Sequence, residues 1–140
     1  MISQVYPNQL EAVWPVLEPM VKRGLSHGQG DAISPGYILN ALIANDMLLW
    51  VYHEGEDIKA GMILEVSQFP QKRVVFVVLL IGRNMEEWVD EMESTLFTFQ
   101  KLIDADCIEA SCRDGLVKKL MERGWKRKAT ILEAPCQSFH

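Results

Sequence analysis

Few side chains in this sequence stand where they could do covalent or acid–base chemistry. Glu65, in a stretch that reads as a strand, could act as a general base through a water, and Cys112 could act as a nucleophile. Each also has an ordinary reading, as a strand carboxylate and a free thiol. Cys107, Cys112 and Cys136 are odd in number and form no CxxC pair, so neither a disulfide framework nor a structural zinc site is expected. His27, His53 and His140 are far apart and match no ligand spacing such as HExxH, so no metal is expected. Gly28-Gln29-Gly30 has the look of a phosphate loop, but no strand precedes it and no Walker lysine follows; it reads as a connection.

Charge supplies a different kind of candidate. Seven cations (Arg113, Lys118, Lys119, Arg123, Lys126, Arg127, Lys128) against Asp114 and Glu122 give +5 over residues 113–128, which leaves −10 for the rest of a chain of net charge −5. Lys118, Lys119, Arg123 and Arg127 are therefore candidate contacts for an acidic partner, with a solvated helix face as the plain alternative. A protein partner fits better than nucleic acid, because the overall charge is negative and no aromatic residues interleave with the cations to stack bases.

The elements that must position these groups follow from periodicity. At 140 residues the chain is read as one domain, 1–140, with nearly half its residues apolar. Its longest apolar run, Val74 to Ile81, is strand-sized and far short of the ~20 residues of a membrane span. The N-terminus shows no basic region followed by an apolar stretch, so a cytosolic protein without a secretory signal is expected.

Ile2 to Tyr6 reads as a strand. Leu10, Trp14, Leu17 and Val21 recur at helical spacing, with Pro15 and Pro19 expected to bend or split that helix between Asn8 and Arg23. Ser34-Pro35 opens a second helix ending near Asn45. Leu48–His53 and Ile58–Ser67 form a hairpin, and Arg73–Ile81 reads as the middle strand of the sheet. Met85 to Ile103 carries a long amphipathic stripe, Cys107–Ser111 is the next strand, and Leu116, Val117, Leu120 and Met121 mark a short helix stopped by Gly124. Trp125 to Leu132 is expected as a last strand. The order β-α-α-β-β-β-α-β-α-β predicts a mixed α/β (α+β) fold. Its twisted sheet would have about six strands, with a parallel pair at the centre, flanked by about four helices.

This order resembles the GNAT superfamily of acetyl-CoA-dependent N-acyltransferases over essentially the whole chain. Trp14-Pro15-Val16-Leu17-Glu18-Pro19, Leu49-Trp50-Val51, Trp88, Arg113-Asp114-Gly115 and Gly124-Trp125 look more narrowly like the small GNAT-like proteins of tailed bacteriophages and prophages. The resemblance implies a pyrophosphate loop, Gln/Arg-x-x-Gly-x-Gly/Ala, after the middle strand, which places the candidate cofactor contacts at Gly82, Arg83 and Asn84. With Arg83 as the motif's first residue, its two small positions are filled by Glu86 and Trp88, which opposes close approach of a diphosphate. The family's tyrosine acid would fall at Leu120, which has no proton to give. Two functions are thus implied. One is a non-catalytic virion or accessory protein without a cofactor, acting through contacts with proteins such as phage structural components, in a bacterial cytoplasm or in the virion. The other is an N-acyltransferase that uses acetyl-CoA on a protein or small-molecule amine.

Overall fold

The computed structural model describes residues 1–26 and 32–136; His27, the Gly28-Gln29-Gly30 pattern and His140 lie outside the described residues. Its elements are β1 (Ile2–Val5), α1 (Leu10–Ser26), α2 (Pro35–Ile43), β2 (Leu48–Glu54), β3 (Asp57–Gln68), β4 (Arg73–Gly82), α3 (Val89–Leu102), β5 (Cys107–Ala110) and α4 (Asp114–Glu122). The strands lie in sequence order, β1-β2-β3-β4-β5; the first four are antiparallel neighbours and β4 with β5 is a parallel pair. The mixed α+β class holds.

Alternation along the strands sends side chains to two apolar layers. Leu49, Val51, Ile63 and Ile81 pack with α1 and α2, against Leu17, Val21, Leu25, Ile38 and Leu42. On the opposite face Trp50, Met62, Leu64, Val75 and Val77 meet Val89, Met92 and Leu96 of α3. Trp50 and Phe99 add an edge-to-face pair with centroids 5.0 Å apart. At the sheet's far end from α1, the Arg73 amide donates to Asp106 at 2.8 Å and its guanidinium reaches the Ile103 carbonyl, which fixes the exit of α3 against the start of β4.

Several elements depart from the sequence expectation. Pro15 and Pro19 do not divide α1, which runs unbroken to Ser26 and takes in Gly24. Both prolines lie on its exposed face, so water can satisfy the carbonyls they leave unpaired while Leu10, Trp14, Leu17, Val21 and Leu25 hold the buried face. Ser34 caps α2 as expected, accepting from the Tyr37 amide at 3.1 Å. The middle strand is β3 rather than β4, because β5 is an edge strand. The long stripe from Met85 is two elements: a 3-10 turn at Met85–Glu87, then α3, with Trp88 at φ −130° between them.

The expected sixth strand is not formed, and the described sheet has five. Residues 125–136 carry no ladder, and Ile131 and Leu132 are 86 and 88 % exposed. A strand exists only through its pairing, and the residues of this segment do not by themselves report whether it pairs. Side-chain contacts hold this segment instead: Lys128 bonds to Glu109 on β5, and the Trp125 indole nitrogen donates to Glu93 on α3 at 2.9 Å. Among the described residues no helix is long and apolar enough to cross a membrane.

Candidate functional site

β4 and β5 part company halfway along β4. Their parallel ladder runs from Val74/Cys107 to Val77/Ala110 and stops, while β4 continues to Gly82 with no strand on that side among the described residues. The cause is visible in the other ladder, where Leu64 pairs with Val77 and Ile63 with Leu79, so Val78 is an extra residue in β4. Such a bulge bends its strand and raises its local twist. The two strands splay from this point, and a cavity of about 240 Å³ opens between them.

The walls come from every element around the fork. β4 gives Val77 to Gly82, β5 and the turn after it give Ala110 to Arg113, α3 gives Val89, Met92 and Glu93, and α4 gives Leu116 and Leu120. On the other face of the sheet α1 contributes Met20, Arg23 and Gly24. Gly24 permits this close approach, since a Cβ there would lie 2.6 Å from Ile81 Cγ2. The cleft is therefore reached from both faces. Its floor is apolar, and Arg23, Arg83 and Arg113 stand exposed around it.

The loop after β4 has a specific construction. Gly82 adopts φ +138°, and a Cβ would come within 2.6 Å of Ala60 Cβ and 2.9 Å of the Lys59 carbonyl, so glycine is required where β4 ends against β3. Asn84 turns the chain in the left-handed region at φ 54°. Trp88 is 2 % exposed and donates its indole N–H to the Arg83 carbonyl at 2.7 Å, drawing the loop closed from below. Of the three residues expected at a cofactor loop, Gly82 and Arg83 line the cleft; Asn84 does not.

The acid–base candidates fare unequally. Glu65 pairs with Phe76 in the half of β3 beyond the bulge and is not part of the cleft wall, so the structure does not bring it to a site; the sequence placed it on a strand but not its distance from the fork. Cys112 does line the cleft, and burial pushes its thiol up from the ordinary range, which works against a thiolate nucleophile at neutral pH. Leu120, at the place of the expected tyrosine, is buried in the cleft wall. Among the described residues the cleft wall carries one carboxylate, Glu93. It is held by Arg123, with Nη2 at 3.0 Å and Nε at 3.3 Å, and by the Trp125 indole.

Arg123 is thus internal structure rather than a free contact of the basic stretch. It also reaches Asp90 at 2.6 Å, and these two carboxylates hold its guanidinium charge more firmly than usual, Glu93 contributing most. Lys118 and Lys119 are exposed on α4. Arg127 borders a shallow outer groove with Val117, Lys118 and Met121. The apolar stripe of α4 is accordingly split between two faces: Leu116 and Leu120 look into the cleft, Val117 and Met121 outward. Residues at i and i+1 on a helix diverge by a hundred degrees, so one neighbour cannot take both. Sequence reasoning did not select Arg23, Gly24 or Arg113 as site residues. With the helix expected to end at Arg23, Gly24 falls outside it by sequence, and only the longer α1 makes it a glycine inside a helix, the mark of a close approach.

No protein-family model matches the chain, and no curated protein matches it. Solved structures do. A GCN5-related N-acetyltransferase from Ralstonia eutropha superposes with a TM-score of 0.71 at 14% identity, covering 96% of this chain and 97% of that one. A predicted acetyltransferase from Clostridium acetobutylicum, solved with acetyl-CoA, gives 0.71 at 15% identity, covering 96% and 95%. An aminoglycoside acetyltransferase from a soil metagenomic sample, in complex with trehalose, gives 0.73 at 10% identity, covering 98% and 96%. At such identities the likeness establishes architecture: the chain has the GNAT fold.

Proposed function

We propose that the protein binds an acyl-CoA in the cleft between β4 and β5 and transfers the acyl group to an amine. The observation that carries this reading is the fork itself, an apolar slot of about 240 Å³ with an unpaired strand edge on one wall and Arg83 and Arg113 at its rim. Acetyl-CoA would supply the activated acyl group. From the chain, the backbone of residues 78–82 offers hydrogen-bonding groups to an extended amide-bearing arm, as a sheet edge does to an added strand. Arg83 and Arg113 offer charge to phosphates. Leu116 and Leu120 exclude water from the reacting end.

What these residues contribute is positioning. Leu120 has no proton to give, and the Glu93 oxygens are occupied by Arg123 and Trp125. The amine would therefore attack the thioester carbonyl in its neutral form, the carbon–sulfur bond would break, and the amine's proton would pass to the departing CoA thiolate. The test is a melting curve with and without acetyl-CoA, paired with an assay for released free thiol in the presence of amines. Ligand at a hundred times its Kd should add about 2.7 kcal/mol of stability. No shift at millimolar acetyl-CoA sinks the reading.

A second reading is favoured by the loop. Glu86 and Trp88 occupy the positions that small residues hold in the resemblance, and Glu86 is exposed beside the first turn of α3, where Asp90 and Glu91 already supply negative charge. That arrangement suits a GNAT-fold protein without catalysis, acting through protein contacts as a bacteriophage virion or accessory component, with Lys118, Lys119 and Arg127 toward the partner. Charge reversal at these three residues followed by co-assembly with native partners tests it; assembly unchanged at low salt rules the surface out.

A further inference from the structure

The two mouths of the cleft differ in their charged groups. Arg23, in the last turn of α1, lines the cleft on the face opposite α3, next to Met20 and Gly24. Among the described residues it takes part in no ion pair, nor do Arg83 and Arg113. The wall's carboxylate, Glu93, belongs to α3, and Arg123 and Trp125 occupy its oxygens. Among the described residues, an amine entering from the α1 side therefore meets a fixed positive charge and no carboxylate free to pair with it.

We infer that the molecule admitted beside α1 carries an anionic group, a carboxylate or a phosphate ester, in addition to its amine, and that Arg23 binds that group. This rests on the acyl-transfer reading for the amine's role, but the recognition itself does not. A polycation, such as an aminoglycoside or a polyamine, would have to bring several positive charges to a site whose exposed groups are arginines, at a cost that apolar contacts with Met20 and Ile81 do not offset. A zwitterion would place its anion on the guanidinium, in the bidentate geometry that arginine favours, and leave its amine over the apolar fork. Gly24 contributes by leaving the helix surface bare beside Arg23, so that a small molecule can lie against the end of β4.

The experiment is an NMR titration of the isotope-labelled protein, followed at the amides of Arg23 and Gly24, without acetyl-CoA. Four probes separate the chemistries: 4-aminobutyrate, its amide 4-aminobutanamide, which keeps the amine and lacks the anion, O-phosphoethanolamine and spermidine. Binding of 4-aminobutyrate or O-phosphoethanolamine about tenfold tighter than the other two is expected, and the stronger of the pair tells carboxylate from phosphate. Arg23→Gln should erase the preference, while Arg23→Lys should keep part of it. Equal or tighter binding of spermidine or 4-aminobutanamide, no perturbation by any probe, or a preference that survives in Arg23→Gln would each overturn the inference. Because no acetyl-CoA is present, its failure to bind in the melting experiment would count against acyl transfer alone.

Discussion

Val77 of β4 and Ala110 of β5 form the last rung of the parallel ladder, and the residue after Val77 is the one in β4 that has no partner on β3. The bulge at Val78 and the end of pairing at Ala110 are one event seen from the two sides of β4. A regular strand would keep β5 alongside to Gly82 and close the slot. The cleft is a defect of pairing placed between two covered faces, which is why its walls are apolar while a backbone edge stays exposed to it.

Trp88 should prove to be core. Its indole is buried and also holds the Arg83 carbonyl. Trp88→Ala is expected to cost about 3–5 kcal/mol in denaturant unfolding, and Trp88→Phe much less, since it keeps most of the packing and loses one hydrogen bond worth about 1 kcal/mol. A Trp88→Ala protein of unchanged stability would mark the residue as a plug in the site instead.

Gly82→Ala combines a positive φ with a clash against the backbone of Lys59 and Ala60, which cannot move as a side-chain tip can. A loss of about 1–3 kcal/mol is expected. Gly24→Ala would put a methyl 2.6 Å from Ile81 Cγ2 and 3.5 Å from Leu79 Cδ2, side-chain atoms rather than backbone and with no positive φ, so it should be milder in stability, yet should weaken any ligand that enters beside α1.

Glu93 and Arg123 should couple in a double-mutant cycle by about 1–3 kcal/mol, because the contact is two-pronged and both side chains are largely covered, at 17 and 27 % exposure. A coupling near zero would show that each residue is held by its other neighbours, Trp125 and Asp90.

The pair that anchors the C-terminal segment should respond to acid. The Lys128 ammonium, and Lys72 less strongly, hold the Glu109 carboxyl below its usual range. A carboxylate whose pKa is depressed on folding stabilises the protein above its unfolded value of about 4.3, and that contribution is lost as pH falls through the lower folded value. The difference in unfolding midpoint between the native protein and Glu109→Gln should therefore be present at pH 7 and vanish in acid. A difference that grows on acidification would contradict the assignment.

Alkylation followed by mass spectrometry should modify Cys136, which is exposed, well before Cys112, whose thiol is kept protonated by burial in the cleft wall. Acetyl-CoA should slow Cys112 further if it occupies the fork. Rapid labelling of Cys112 at neutral pH would revive it as a nucleophile.

The sequence by itself determined the elements and their two faces. Leu10, Trp14, Leu17 and Val21 set the buried side of α1 despite two prolines, Ser34-Pro35 set the start of α2, and the Val74–Ile81 run required a strand covered on both sides with a crossover to a parallel neighbour. These are local or periodic signals, repeated over many residues, and burial of apolar surface enforces them. Only the tertiary structure decided which residues meet. That Glu65 misses the cleft while Cys112 lines it depends on where one extra residue, Val78, interrupts a ladder, and the bulge leaves no mark in hydrophobic pattern. That Arg123 is a partner of Glu93 rather than of another molecule depends on the end of α4 lying within side-chain reach of α3, thirty residues away in sequence. That residues 125–132 do not join the sheet, although β5 and the end of β4 leave edges open, goes with contacts distant in sequence, Trp125 to Glu93 on α3 and Lys128 to Glu109 on β5.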